Sequence, residues 1–147
     1  MIAVGCDHGG YELKEFIKQY LDQKGIEYLD VGAFSSESVD YAPIAQRAAE
    51  LVASGQAEKG LLFCGTGIGM SLAANKVRGI RAAVCSDEFS AKFTRLHNDA
   101  NVLCLGGRVV APDIALRLVE LFLTTEFEGG RHERRVKQIM DIENSRP

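Results

Sequence analysis

Three features of the 147-residue sequence predict an α/β fold with a doubly wound (Rossmann-like), five-stranded parallel sheet. Short apolar runs alternate with helix-spaced apolar residues from one end of the chain to the other. Most of the strand-like runs are continuously apolar, which calls for helices on both sheet faces. The connections are short and no Pro- or Gly-rich linker divides the chain, so residues 1–147 read as one domain.

The elements follow in order. Ile2–Cys6 is an apolar run closed by Asp7-His8-Gly9-Gly10, a strand and its turn. Leu13, Phe16, Ile17, Tyr20 and Leu21 recur at helical spacing, and Gly25 stands where that helix stops. Residues 26–31 form the second strand, whose Glu27 and Asp30 suit a sheet edge, and 32–40 is a polar, serine-rich loop. Ile44, Ala45, Ala48, Ala49, Leu51 and Val52 mark a helix ended by Gly55. The third strand, 60–64, runs into Gly65-Thr66-Gly67-Ile68-Gly69 and a short helix through Asn75. Strand 80–85, helix 88–96, strand 102–105 and helix 113–123 complete the alternation. After Glu128-Gly129-Gly130, a terminal helix spanning about 131–145 carries Val136, Ile139 and Met140 on one side. Its attachment by a glycine pair suits docking on a partner subunit.

Composition narrows the function. With 46% hydrophobic residues, 25% charged residues and a net charge of −3, the chain is an ordinary globular protein with no global field for nucleic acid or anionic membrane. No apolar run approaches the ~20 residues of a membrane span, and no charged leader precedes the first strand, so neither membrane insertion nor secretion is expected. The four cysteines, Cys6, Cys64, Cys85 and Cys104, are scattered without a CxxC pair, so a reducing, cytoplasmic compartment is expected. No HExxH, DxDxDG or compact His/Cys/carboxylate cluster is visible in the spacing, and no metal is expected.

In an open parallel sheet ligands bind beyond the carboxyl ends of the strands. Asp7-His8, the 64–69 turn, His97-Asn98-Asp99 and Gly106-Gly107-Arg108 are the polar groups expected to gather there. The 64–69 turn is the most informative. Its alternate glycines admit a ligand close to the backbone, and the helix start that follows presents free N–H groups. A cysteine immediately before such a turn is placed to act as base or nucleophile. Cys6, Cys85 and Cys104 read instead as packing residues. The turn is not a Walker A loop, since no lysine follows until Lys76, nor a cysteine-phosphatase loop, since no arginine follows until Arg78. It is not a full dinucleotide fingerprint either, because Met70 stands at the third glycine position, although Asp87 lies about twenty residues on. His8 and His97 each have a bland reading, as a turn residue and as a helix-end cap. The segment from residue 131 carries Arg131, Arg134, Arg135, Lys137 and Arg146 against Glu133, Asp141 and Glu143, a basic excess inside an acidic chain. With Arg108 it forms a candidate clamp for a phosphorylated small molecule.

Together the segments Gly5-Cys6-Asp7-His8-Gly9-Gly10-Tyr11, Cys64-Gly65-Thr66-Gly67-Ile68-Gly69, Ala73-Ala74-Asn75-Lys76, Arg81-Ala82-Ala83, His97-Asn98-Asp99-Ala100-Asn101 and Gly129-Gly130-Arg131-His132 stand in an order and spacing that resembles the type B ribose-5-phosphate isomerases. These lie within a wider group that includes the lactose-pathway galactose-6-phosphate isomerase subunits. The resemblance covers essentially the whole chain. It implies an aldose–ketose isomerase acting through a cis-enediolate without metal or organic cofactor. By the same resemblance Cys64 matches the base and His97 the group that assists ring opening. Gly65, Thr66, Gly67, Ile68 and Gly69 match the anion hole. Asp7, Tyr41 and Asn98 match groups that hold sugar hydroxyls, and His8, Arg108, Arg131 and Arg135 match the phosphate clamp. The family is dimeric or tetrameric with sites shared between subunits, so a homodimer or homotetramer is implied.

Two departures from the family pattern stand out. One branch places a glutamate base where this chain has Met70, which cannot take a proton, so the chain fits the cysteine branch. Where relatives commonly read Asp-Tyr-Pro, this chain reads Asp40-Tyr41-Ala42-Pro43. The leading expectation is interconversion of ribose 5-phosphate and ribulose 5-phosphate. The alternatives are isomerisation of a six-carbon sugar phosphate (allose 6-phosphate or galactose 6-phosphate) and a non-catalytic sugar-phosphate-binding module. Cys64 and His97 in one chain argue against the module, since binding alone needs neither.

Overall fold

The computed structural model describes residues 1–147. Five parallel strands, β1 (Ile2–Cys6), β2 (Tyr28–Asp30), β3 (Lys59–Cys64), β4 (Ala82–Val84) and β5 (Val102–Gly106), lie in the order β2-β1-β3-β5-β4. Six helices connect and follow them: α1 (Tyr11–Gln23), α2 (Tyr41–Ala53), α3 (Ile68–Ala74), α4 (Glu88–Asn98), α5 (Pro112–Thr124) and α6 (Arg131–Asn144). The expected fold class is the observed one. The polar second strand is indeed an edge, where only one neighbour must be satisfied, and it is shorter than the sequence suggests.

Side-chain alternation on the central strands supplies two cores. Val4, Leu61, Phe63, Leu103 and Leu105 pack under α1, α4 and α5 through Leu13, Ile17, Ala91, Leu118 and Phe122. Ala3, Leu62, Cys64, Val102 and Cys104 face the other way, against Ile44, Ala45, Ala48 and Ala49 of α2 and Met70 and Ala74 of α3. Each fully buried Leu or Phe contributes roughly 1.5–3 kcal/mol. Small residues let α2 settle close to the sheet: a Cβ on Gly5 would stand 2.9 Å from Ile44 Cγ2.

The route of the chain creates the site. From β1 the chain steps outward to β2, then α2 carries it back past β1 to β3. The crevice beyond the carboxyl ends of β1 and β3 is therefore a topological switch point, where the flanking loops diverge. From β3 the chain passes over β5 to β4, and α4 brings it back inward.

One charged group is fully buried. Lys14 on α1 donates to Asp30 Oδ1 at 2.7 Å and to the Ala33 carbonyl at 2.6 Å, while Lys18 donates to Asp30 Oδ2 at 2.9 Å. This network pins the start of the 32–40 loop, which leads directly to Tyr41.

Candidate active site

Three loops meet at the switch point. In the first, Asp7 is buried and its Oδ1 accepts the Gly9 N–H at 2.8 Å and the Gly10 N–H at 3.2 Å, closing the turn after β1. His8 is exposed, and its Nδ1 accepts the Val39 N–H at 3.2 Å. That bond leaves Nε2 as the nitrogen free to face a ligand.

The second is the turn after β3. Cys64 ends the strand at 4% exposure, and Gly67 donates its N–H to the sulfur at 3.0 Å. Gly67 has φ +81°, a left-handed conformation that a side chain would oppose. Thr66 is exposed, and its Oγ1 accepts the Ile68 N–H at 3.2 Å. The N–H groups of Gly65, Thr66 and Gly69 find no acceptor within the chain. The turn thus presents a sulfur beside free backbone donors, an arrangement able to receive negative charge.

The third loop follows β5. Gly107 donates to the Cys64 carbonyl at 2.8 Å and Arg108 to the Gly65 carbonyl at 3.0 Å. The loops approach so closely that a Cβ on Gly107 would lie 2.6 Å from the Gly9 carbonyl oxygen. A Cβ on Gly65 would stand 3.1 Å from an Arg108 guanidinium nitrogen, which places that cation over the turn. Tyr41, at the start of α2 and 42% exposed, lays its ring against Gly69.

The four thiols are not equivalent. Burial pushes Cys6 and Cys85 up to about 11 and Cys104 well above the ordinary thiol value. Cys64 alone faces the loop donors. Met70 is fully buried in the core, consistent with a packing role. Asp87, the residue a dinucleotide site would need, is spent as the N-cap of α4, where it accepts the Ser90 N–H at 2.7 Å.

Two expectations need correction. His97 and Asn98 were expected with Cys64 at the carboxyl ends of the strands. They lie at the opposite end of the strands, because α4 starts beyond the carboxyl end of β4 and runs back to the amino end of β5. Arg81, just before β4, donates to the Asn98 carbonyl at 3.1 Å and confirms that position. Arg131 and Arg135 belong to the same region, since α6 packs along α4 with the Glu128 N–H on the Leu96 carbonyl at 3.1 Å. So Asp7, His8, Tyr41, Cys64 to Gly69 and Arg108 are brought together within one chain, and His97, Asn98, Arg131 and Arg135 are not. The terminal helix itself buries no residue, and Ile139 remains exposed.

The second correction concerns clustering. Spacing showed no compact metal-type cluster, yet folding brings together His97, Glu128 and His132. The imidazoles of His97 and His132 stack with centroids 4.0 Å apart and planes at 13°, and Phe93 meets the His97 ring edge-on at 4.9 Å. Burial, reinforced by His97, pushes His132 below the ordinary histidine value. Neither His132 nor Glu128 is among the site residues that the sequence predicts. Their spacing of four, with Glu128 just before the glycine pair, was the available signal.

A doubly wound domain with a thiol and free amides at its switch point is, as a class, an α/β protein of the kind whose loop crevice takes small molecules. More specifically, the chain belongs to the ribose/galactose isomerase family, whose model matches residues 2–139. It is 49% identical over 145 residues to ribose-5-phosphate isomerase B of Escherichia coli, covering 99% of this chain and 97% of that protein. The ribose-5-phosphate isomerase B structure of Clostridium thermocellum superposes with TM-score 0.96 at 51% identity, covering 98% of this chain and 97% of that one. That of Mycoplasma genitalium, bound to ribulose-5-phosphate, superposes with TM-score 0.94 at 38% identity over 99% of this chain and 97% of that one.

Proposed function

We propose that the chain is an aldose–ketose isomerase that interconverts ribose 5-phosphate and ribulose 5-phosphate. The observation that carries this reading is the Cys64 sulfur at the switch point beside the free amides of Gly65, Thr66 and Gly69. Cys64 as thiolate takes the C2 proton of the open-chain aldose. The C–H electrons form the C1–C2 double bond, and charge moves to O1, where the 65–69 amides and Thr66 stabilise it without reorganisation. The thiol returns its proton to C1, O2 becomes the ketose carbonyl, and the O2 proton passes to O1. Asp7, Tyr41 and Asn98 hold hydroxyls. His8, Arg108, Arg131 and Arg135 hold the phosphate, whose binding energy orients the reacting carbons.

His97 assists opening of the furanose ring. Because it lies at the amino ends of the strands, away from Cys64, the working site takes the two residues from different protomers of a homodimer or homotetramer. A two-fold axis satisfies both sites at once. Exposed Ile68, Leu72, Val84 and Phe89 offer apolar surface for such an interface, with α6 completing the partner's phosphate clamp. The four free thiols suit the cytoplasm, and no helix is long and apolar enough to cross a membrane.

The test is a panel assay of purified protein after exhaustive chelation. Ribose 5-phosphate should give the highest kcat/KM; a strong preference for allose 6-phosphate or galactose 6-phosphate would replace the substrate, and no turnover of any sugar phosphate would reject the enzyme reading.

A further inference from the structure

Three donor groups, His97 near the end of α4, Glu128 in the loop after α5 and His132 at the start of α6, converge beside the C-terminal end of α4. Glu128 Oε2 lies 3.9 Å from His97 Nε2, Glu128 Oε1 lies 3.8 Å from His132 Nε2, and all three groups fall within 4.8 Å of one another. The two rings stack nearly parallel, with centroids 4.0 Å apart and planes at 13°, so a shared ion, which must lie close to both ring planes, requires one imidazole to turn about its Cβ–Cγ bond. At these separations neither histidine is hydrogen-bonded to Glu128. None of the three side chains makes a hydrogen bond within the chain, so their lone pairs are uncommitted.

Two imidazoles and one carboxylate are a recurrent three-ligand set for zinc, with a further position left open. Metal–donor lengths of about 2.0–2.2 Å in tetrahedral geometry require donors about 3.4 Å apart. The two histidine–glutamate separations, to different carboxylate oxygens, exceed that spacing by about half an ångström, and every pair of the three donors lies within 4.8 Å. The adjustment is available, because the Glu128 side chain is 56% exposed and that of His97 39%. The backbone beneath is held: Glu128 donates its N–H to the Leu96 carbonyl at 3.1 Å, and Phe93 backs the His97 ring. Nitrogen donors in the majority disfavour magnesium and calcium, which take oxygen. The Arg131 and Arg135 guanidinium groups lie near His132 and oppose an incoming cation.

We propose that His97, Glu128 and His132 form a binding site for a divalent transition-metal ion of the zinc class. Occupation ties up the Nε2 lone pair of His97. Where His97 assists ring opening, as in the reading above on which this consequence rests, the ion inhibits turnover.

The experiment uses the tag-free, chelator-treated full chain, titrated with Zn2+ by calorimetry and with Co2+ by its visible absorption. One ion per chain is expected. Loss of a direct ligand in Glu128→Gln or His132→Ala should weaken binding by at least the ~10–100-fold seen for outer-shell partners. Cys64→Ser should bind as wild type. Absence of binding, or binding kept in His132→Ala and lost in Cys64→Ser, would overturn the site. Activity is read separately. Zinc inhibition reversed by chelator in wild type, and relieved in Glu128→Gln, supports both proposals. Binding at this site with undiminished turnover would keep the metal site and reject the role of His97.

Discussion

The Gly67 backbone N–H donates to the Cys64 sulfur over 3.0 Å, and this bond orients the thiol at the mouth of the switch point. No comparable position exists for the other three cysteines, whose burial holds them protonated at neutral pH. Cys64→Ala should therefore lower kcat/KM by about 10²–10⁴, the range for loss of a general base, while leaving the fold intact. Limited alkylation at pH 8, followed by mass spectrometry, should place the first adduct on Cys64. A first adduct on Cys6, Cys85 or Cys104 would contradict the assignment.

The separation of His97 from Cys64 makes a prediction about assembly. Cys64→Ala and His97→Ala proteins are each expected to be nearly inactive on ribose 5-phosphate. Dissociated, mixed in equal amounts and reassociated, they should recover about a quarter of wild-type activity, because half the dimers are mixed and each mixed dimer keeps one intact site. Activity of the mixture equal to the sum of the two parents would place both residues in one protomer's site.

That separation also shows where the sequence stopped being legible. Apolar runs and helix spacing located every element within a few residues, because both cores are made by local periodicity. The carboxyl-end rule found Asp7, Cys64 and Arg108, which follow strands directly. It misplaced His97 and Asn98, which follow a helix, and a helix between parallel strands returns the chain to the amino ends. The His97–Glu128–His132 cluster was invisible for another reason: it depends on how α6 packs against α4, a tertiary contact with no short-range signature.

Two glycines separate catalytic geometry from stability. A Cβ on Gly69 would meet the Tyr41 ring at 2.7 Å, but that ring is the movable end of a half-exposed side chain. Gly69→Ala should raise KM while shifting Tm by only a few degrees, since under about 1 kcal/mol is involved. A Cβ on Gly106 would lie 2.6 Å from the Thr66 backbone, which cannot swing aside. Gly106→Ala should cost on the order of 1–3 kcal/mol and depress kcat as the 65–69 turn shifts. Thermal denaturation and steady-state kinetics on both variants check the contrast; equal loss of Tm would refute it.

The buried Lys14–Asp30 pair links stability to pH. Burial alone would raise the Asp30 carboxyl, but hydrogen bonds from Lys14, Lys18 and the Gly32 N–H outweigh it and hold the group below its ordinary value. A carboxyl lowered on folding stabilises above its unfolded pKa, and the contribution is lost as pH falls through the folded value. Wild-type Tm should thus decline from about pH 4 downward, and Asp30→Asn should flatten part of that decline. Breaking a buried pair by removing one partner costs about 3–5 kcal/mol. Lys14→Met should fall at the low end, because Lys18 still reaches Asp30 at 2.9 Å. The same variant frees the Ala33 carbonyl that Lys14 holds at 2.6 Å, loosening the loop that leads to Tyr41. Its KM for the sugar phosphate should therefore rise together with the loss of Tm. Unchanged KM would show that the network supports the fold without positioning the site.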